Sequence, residues 1–200
     1  MIFKPLSLVE SVVNSTTKNS DLPTPNELVK ALLEIEKTAK KSSNSASFSD
    51  LTAVWNLRFI TGTKKSRKRA GIALGAGKYI PQLLKIQIAY EQDPQQPANL
   101  GRVKNTVKVG FIKFSLTGPA KFINSKNILA FDFTTILIKI FGKDIYSGYI
   151  RNGAQRETEF YHQKISKQAF FSYFLIQENV IAARGRGGGL ALWVKDSNRQ

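Results

Sequence analysis

From position 50 onward the apolar residues of this chain recur at every second position, a period that suits a half-buried β-strand and not a helix. Ala53, Trp55, Leu57 and Phe59 alternate with Val54, Asn56, Arg58 and Ile60, and Leu84, Ile86, Ile88 and Tyr90 alternate with Lys85, Gln87 and Ala89. Val107, Val109 and Phe111 read as one face of a strand, with Ile112, Phe114 and Leu116 on the other. Further strand-like runs cover 127–140, 145–150, 169–176, 180–184 and 190–195. Turn residues separate them: Asp93-Pro94, Gly118-Pro119, Asn124-Ser125, Gly142-Lys143-Asp144, Asn152-Gly153 and the glycines at 185–189. The pattern predicts eight or nine consecutive antiparallel strands with short connections and no helix between them. Closing such a meander into a barrel removes its exposed edges, and about eight strands leave room for one small ligand. A two-sheet sandwich with a filled core is the alternative.

The first 45 residues read differently and form a helical segment, with the barrel domain expected over 46–197. Thr24-Pro25-Asn26-Glu27 has the form of a capping box, with Pro25 at the first helical position. Ser7-Leu8-Val9-Glu10 is a possible second one. Leu28, Ala31, Leu32 and Ile35 fall on one helical face, and Glu34, Glu36, Lys37 and Lys40 on the other. The apolar stripe is expected to lie on the following domain. Residues 41–50 are a Ser-rich linker.

Net charge is the largest anomaly: 30 Lys and Arg against 14 Asp and Glu give +16, which calls for anionic partners, either nucleic acid or an anionic membrane. The absence of Cys excludes disulfides and thiolate chemistry. No apolar run reaches the ~18 residues of a spanning helix, and Pro5, Ser7 and Glu10 interrupt any secretory core near the start. An intracellular protein of bacterial style is expected.

Catalytic signatures are missing. His162 is the only histidine, so a two-imidazole metal site is excluded, and no metal or cofactor is expected. Gly75-Ala76-Gly77-Lys78-Tyr79 has the look of a phosphate loop, but the spacing from Gly71 to Gly77 is one residue too long. Tyr79 also stands where Ser or Thr would hold magnesium. No nucleophile elbow and no nominated carboxylate pair appear, so a non-enzyme is expected.

The basic run Lys64, Lys65, Arg67, Lys68 and Arg69 follows the first strand and falls on a barrel-rim loop as a candidate membrane contact. At about 1 kcal/mol per cation such a cluster supplies ~5 kcal/mol on an anionic bilayer, a peripheral and reversible attachment. Arg184-Gly185-Arg186-Gly187-Gly188-Gly189 resembles an RNA-binding segment, but it lies between two strand-like runs and reads better as a hairpin turn.

Two segments together resemble the plastid lipid-associated protein family, also called fibrillins or plastoglobulins, of plastids and cyanobacteria. Leu51-Thr52-Ala53-Val54-Trp55-Asn56-Leu57-Arg58-Phe59-Ile60-Thr61 is similar to the family's opening strand. Ala183-Arg184-Gly185 through Gly188 and Leu190 to Val194 is similar to its terminal hairpin and last strand. Ala53 stands where the family usually has Gly, and Phe59 where it has Tyr. The resemblance covers about 50–195. It implies a lipocalin-like antiparallel barrel that binds lipids, carotenoids or prenylquinones and sits peripherally on thylakoids or lipid globules in a photosynthetic cell. It also suggests a lid in which Arg184 packs over Trp55 by a cation–π contact.

Trp55, Phe59, Phe111, Phe131, Phe133 and Phe171 are the expected inward ligand-binding wall. Expected partners are an apolar lipid or isoprenoid, an anionic membrane surface and a protein of a photosynthetic membrane, without nucleic acid. Two competing classes remain: a filled-core interaction protein docking on a membrane complex, and a basic nucleic-acid module.

Overall fold

The computed structural model describes residues 4–15, 22–42, 45–62, 77–81, 83–92 and 94–197. Helix α1 spans Pro5–Asn14 and α2 spans Pro25–Ala39. The capping box at α2 forms as read: the Thr24 hydroxyl accepts from the Glu27 amide at 3.3 Å while Glu27 Oε2 accepts from the Thr24 amide at 2.8 Å. The second box does not form. Pro5, with φ already set for a helix, takes the first position of α1, so Ser7 lies inside the helix and donates to the Lys4 carbonyl.

The strands are β1 (Val54–Ile60), β2 (Lys78–Tyr79), β3 (Leu84–Gln92), β4 (Leu100–Val109), β5 (Ile112–Ile123), β6 (Ile128–Phe131), β7 (Thr135–Ile140), β8 (Lys143–Tyr149), β9 (Ala169–Ile176), β10 (Val180–Gly185) and β11 (Leu190–Lys195). Eight of them close an antiparallel barrel in the order β4-β3-β1-β11-β10-β9-β6-β5, sealed by the β4–β5 ladder. The path is not a plain meander. Helix α3 (Gly153–Glu159) and short 3-10 turns at Phe160–His162 and Ile165–Lys167 occupy the stretch before β9, where no helix was expected. Ion pairs Arg102–Glu157 and Arg156–Asp132 (2.5 Å) hold α3 against the barrel.

Gly118-Pro119 is not a turn but the middle of β5. The far edge of β5 pairs with β7 up to Thr117↔Thr135 and with β6 from Ala120↔Phe131, so Pro119 sits where that ladder is interrupted and its missing N–H costs no rung. A Cβ on Gly118 would lie 2.1 Å from the Asp132 carbonyl oxygen, so only glycine fits at the handover.

Helices α1 and α2 pack on the outside of the wall. Val9, Val12, Leu28 and Leu32 join Phe59, Leu175, Val180, Ala182, Leu190 and Leu192 in one buried cluster. Glu36 belongs to this buried side rather than to the solvent face. It receives Arg184 of β10 in a two-point pair, Nε to Oε1 at 2.8 Å and Nη2 to Oε2 at 2.5 Å. Glu36 follows Leu28 and Leu32 at four-residue spacing and so shares their buried face of α2, and the arginine makes its burial tolerable.

The Arg184 hydrogen bond holds the Glu36 carboxyl below the usual range, while the same bond raises Arg184. A depressed folded value means the stabilisation is complete at neutral pH. It is lost as pH falls from the free glutamate value of ~4.3 through the lower folded one. Glu36→Gln is expected to cost about 1.5–3 kcal/mol at pH 7. It should also flatten the acid limb of the melting-temperature profile, measured by circular dichroism across pH 3–7. An unchanged acid limb would refute the assignment.

Candidate functional site: a filled barrel and an open apolar apron

The barrel interior is occupied by its own aromatic side chains. Phe48, Trp55, Tyr90, Phe122, Phe131, Tyr173 and Trp193 are all buried in one cluster with Leu57, Ile88, Val103 and Ile181. The rings form a connected column: Phe122 to Phe48 at 6.5 Å, Phe48 to Tyr90 at 6.4 Å, Tyr90 to Tyr173 at 6.5 Å, Tyr173 to Trp193 at 6.4 Å, Trp193 to Phe171 at 5.3 Å and Phe171 to Phe131 at 5.0 Å. Phe48 plugs one end from the turn before β1, and a Cβ on Gly101 would meet its ring at 2.4 Å. The Trp55 indole donates to the Leu51 carbonyl at 2.8 Å.

Of the six wall residues expected from sequence, Trp55, Phe131, Phe133 and Phe171 face this interior, where Phe133 and Phe171 are only partly buried. Phe59 does not. A β-bulge between Leu57 and Phe59 turns its ring to the outer face, against Tyr79 at 5.1 Å and the helices. Phe111 does not either, since it sits on the β4–β5 turn and is 54% exposed. The expected Trp55–Arg184 lid is absent for a reason of alternation: Ala183 faces inward, so Arg184 faces outward to Glu36 and the Gly188 carbonyl. The cation over a ring is instead Lys121 above Phe160, at 5.3 Å, its amine pulled down by burial. The run Lys64, Lys65, Arg67, Lys68 and Arg69 lies outside the described residues. His162 lies in a 3-10 turn, and among the described residues no cluster of three His, Asp or Glu is placed to hold a metal.

Beyond the barrel, β3, β4, β5, β7 and β8 continue as a flared sheet, an apron. Directly opposed residues share a face. The pairs Ile86↔Val107, Val107↔Phe114, Phe114↔Ile138 and Ile138↔Tyr146 therefore lie on one face, with Leu116↔Ile136 beside them. This is the face that Ile88, Tyr90, Val103 and Ala120 present to the barrel interior. The separation of Val107 and Val109 from Ile112, Phe114 and Leu116 onto opposite faces is thus overturned. The two-residue turn at Gly110-Phe111 brings Val107 opposite Phe114 and Val109 opposite Ile112. Phe114 is 41% exposed, Val109 52% and Tyr146 53%, on a scale where well-packed core residues are near zero. Where barrel meets apron, Asn105 on this face has a buried Oδ1 with no hydrogen-bond partner.

The back of the apron is mostly polar, with Leu137 and Tyr149 among its apolar members. Lys85↔Lys108, Lys108↔Lys113 and Lys113↔Lys139 place four lysines in one row across β3, β4, β5 and β7. Asp196 meets Lys85 at 3.1 Å and Asp144 meets Lys139 at 2.7 Å, at the two ends. Sequence reasoning noticed Ile86, Phe114 and Leu116 as strand residues but missed the surface they form with Ile138 and Tyr146.

These features define a class: a closed antiparallel barrel, filled by its own side chains, carrying an open amphipathic sheet. No protein-family model matches the chain, and no curated protein matches it. Among solved structures it is similar to a redesigned β-barrel, with a TM-score of 0.37 and 11% identity over 78% of this chain and 100% of that one.

The filled interior makes a direct prediction. The Tyr90 and Tyr173 hydroxyls meet at 2.6 Å in full burial, and burial holds both phenols above their ordinary range. Tyr173→Phe strands the Tyr90 hydroxyl and is expected to cost about 1–3 kcal/mol in urea denaturation. The double variant Tyr90→Phe/Tyr173→Phe is expected to lose less than the two singles added together. Additive losses would mean that the hydroxyls are not a pair.

Proposed function

We propose that this protein is a non-catalytic, lipid-associated barrel. In this reading it holds an apolar chain of the isoprenoid or acyl class on the open face of its apron and works peripherally at an anionic membrane. The observation that carries the reading is the apolar face that runs from the barrel interior, past Asn105, onto β3, β4, β5, β7 and β8, where nothing in the chain's described residues covers Phe114 or Tyr146. Contiguous exposed apolar surface of this kind marks a binding site on a soluble fold.

The filled barrel shifts the ligand from the lumen, where the resemblance to the plastid lipid-associated family put it, to the mouth. A chain laid on the apron gains ~0.8 kcal/mol per buried methylene without polar contacts. The barrel then serves as a rigid mount, and the charge of +16 supplies attraction to anionic lipid.

Fluorescence titration with cis-parinaric acid tests the site. Ile138→Lys puts a charge in the middle of the apolar face and is expected to weaken binding about tenfold or more. Ser147→Lys, opposite Leu137 on the back face, adds the same charge and is expected to leave binding unchanged. Equal effects of the two, or no binding by the parent, would replace the lipid reading with that of a filled-core protein whose apron docks on another protein.

A further inference from the structure

At the far end of the apron two hairpin turns lie side by side, and both carry phenylalanine. Phe111 follows Gly110 on the β4–β5 turn, and Phe141 precedes Gly142 on the β7–β8 turn. The Phe141 amide donates to the Phe111 carbonyl at 3.0 Å, and the rings stack at 4.3 Å with 5° between their planes. Phe141 is nonetheless 74% exposed and Phe111 54%. This is where a soluble protein places Asn, Asp or Gly.

The backbone sharpens the point. Phe141 has φ 49° and Gly142 φ 79°, the two positive angles of the tight hairpin turn for which Asn-Gly is the favoured sequence. A phenylalanine in the left-handed region is a strained choice, and here the strain gives the fold no buried ring in return. The lysine row adds a second anomaly. Like charges directly opposed across strands destabilise a sheet, and Lys85, Lys108, Lys113 and Lys139 stand in register across four of them, with Asp196 and Asp144 compensating part of that cost at the two ends. Both costs are offset if the tip meets a phase that is apolar inside and anionic at its surface.

The distances fit. Lys113 and Lys139 lie two residues from the tip phenylalanines, and Lys108 lies three. At ~3.3 Å per residue the cations stand about 7–10 Å behind the rings. Interfacial anchors bury their apolar side ~5–10 Å into the boundary between headgroups and acyl chains. Rings buried to that depth bring the lysine row level with lipid phosphates. Phe114, Tyr146 and the exposed Ile145 continue the apolar surface upward from the tip.

We propose that the paired turns at Phe111 and Phe141 are the membrane-docking tip of this protein, inserting both rings into an anionic bilayer while the lysine row contacts its phosphates. The proposal deepens the membrane side of the functional reading and rests on it. The tip stands the apron upright on the bilayer, so that the lower edge of its apolar face, at Val109, Ile112 and Ile140, adjoins the acyl region.

Co-sedimentation of the full chain with vesicles of 30% phosphatidylglycerol in phosphatidylcholine tests it. The parent is expected to bind these vesicles, to ignore pure phosphatidylcholine, and to release as salt rises. Phe141→Asn is expected to reduce the partition coefficient about tenfold. The same variant should melt no lower than the parent, since Asn accepts a positive φ more readily, which separates loss of docking from loss of fold. Lys113→Gln is expected to weaken binding about fivefold, equivalent to about 1 kcal/mol per cation. Phe141→Trp keeps a ring at the tip; it should bind like the parent and be quenched by brominated phosphatidylcholine, while the buried Trp55 and Trp193 of the parent are not.

Three results would overturn the proposal. If the parent binds anionic vesicles and Phe141→Asn binds them equally, the tip is wrong and the membrane reading stands. If the parent binds no vesicle of either composition, both fall together. If it binds single-stranded RNA in preference to the vesicles, the lysine row is a nucleic-acid surface instead.

Discussion

Ten residues of β4 pair with ten of β5 without a break, from Leu100↔Lys121 to Val109↔Ile112, and this one ladder belongs to two structures. At its barrel end it is the seam that closes the wall, with Val103 and Ala120 facing the core. At its other end it is the spine of the apron. Twelve residues of β5 at ~3.3 Å each span about 40 Å, far more than the four-residue β6 can flank. The excess must leave the barrel, and the handover at Gly118-Pro119 is where it does so. Rigidity passes along the same hydrogen bonds, which is why a projecting sheet can stay ordered without a second sheet packed on it.

Alternation is identical in barrel and apron, yet its consequences differ with what faces it. Inside the wall, Tyr90, Tyr173 and Trp193 meet one another across the lumen and are fully removed from water. On the apron, Phe114 and Tyr146 occupy the same face of the same sheet and remain half exposed because no strand among the described residues opposes them. The core therefore supplies the stability that the apron spends. A lumen packed ring to ring is also a poor container: admitting an isoprenoid there requires several large side chains to leave their rotamers together, which close-packed interiors resist.

Much of this was legible in the sequence, and the failures have specific causes. The strand period, the capping box at Thr24 and the glycine hairpin at 185–189 are local signals, and each formed as read. Phe59 was misassigned because a bulge at Arg58 shifts the register by one residue, and no composition cue marks it. Glu36 looked solvent-facing until Arg184, 148 residues away, turned out to be its partner. The stretch 153–168 carried too few apolar residues to show a helical period. The apron was hidden for a different reason. Ile136, Ile138 and Ile140 alternate like any buried strand, and only the ladder order shows that no other strand among the described residues packs over them.

The distribution of charge on the apron separates two forces that act over different ranges. Attraction between the lysine row and an anionic surface reaches about one Debye length, ~8 Å at physiological ionic strength, so it orients the protein before contact. Removal of Phe111 and Phe141 from water acts only on contact and does not weaken with salt. On the proposed reading, the cations then govern how fast the tip arrives, and the rings govern how long it stays. The arrangement also explains why the lysines stand on the back of the sheet. A cation on the apolar face at Val107 or Ile138 would have to be desolvated along with the face itself, whereas at Lys108 or Lys139 it keeps its water while the opposite side of the same strand is buried.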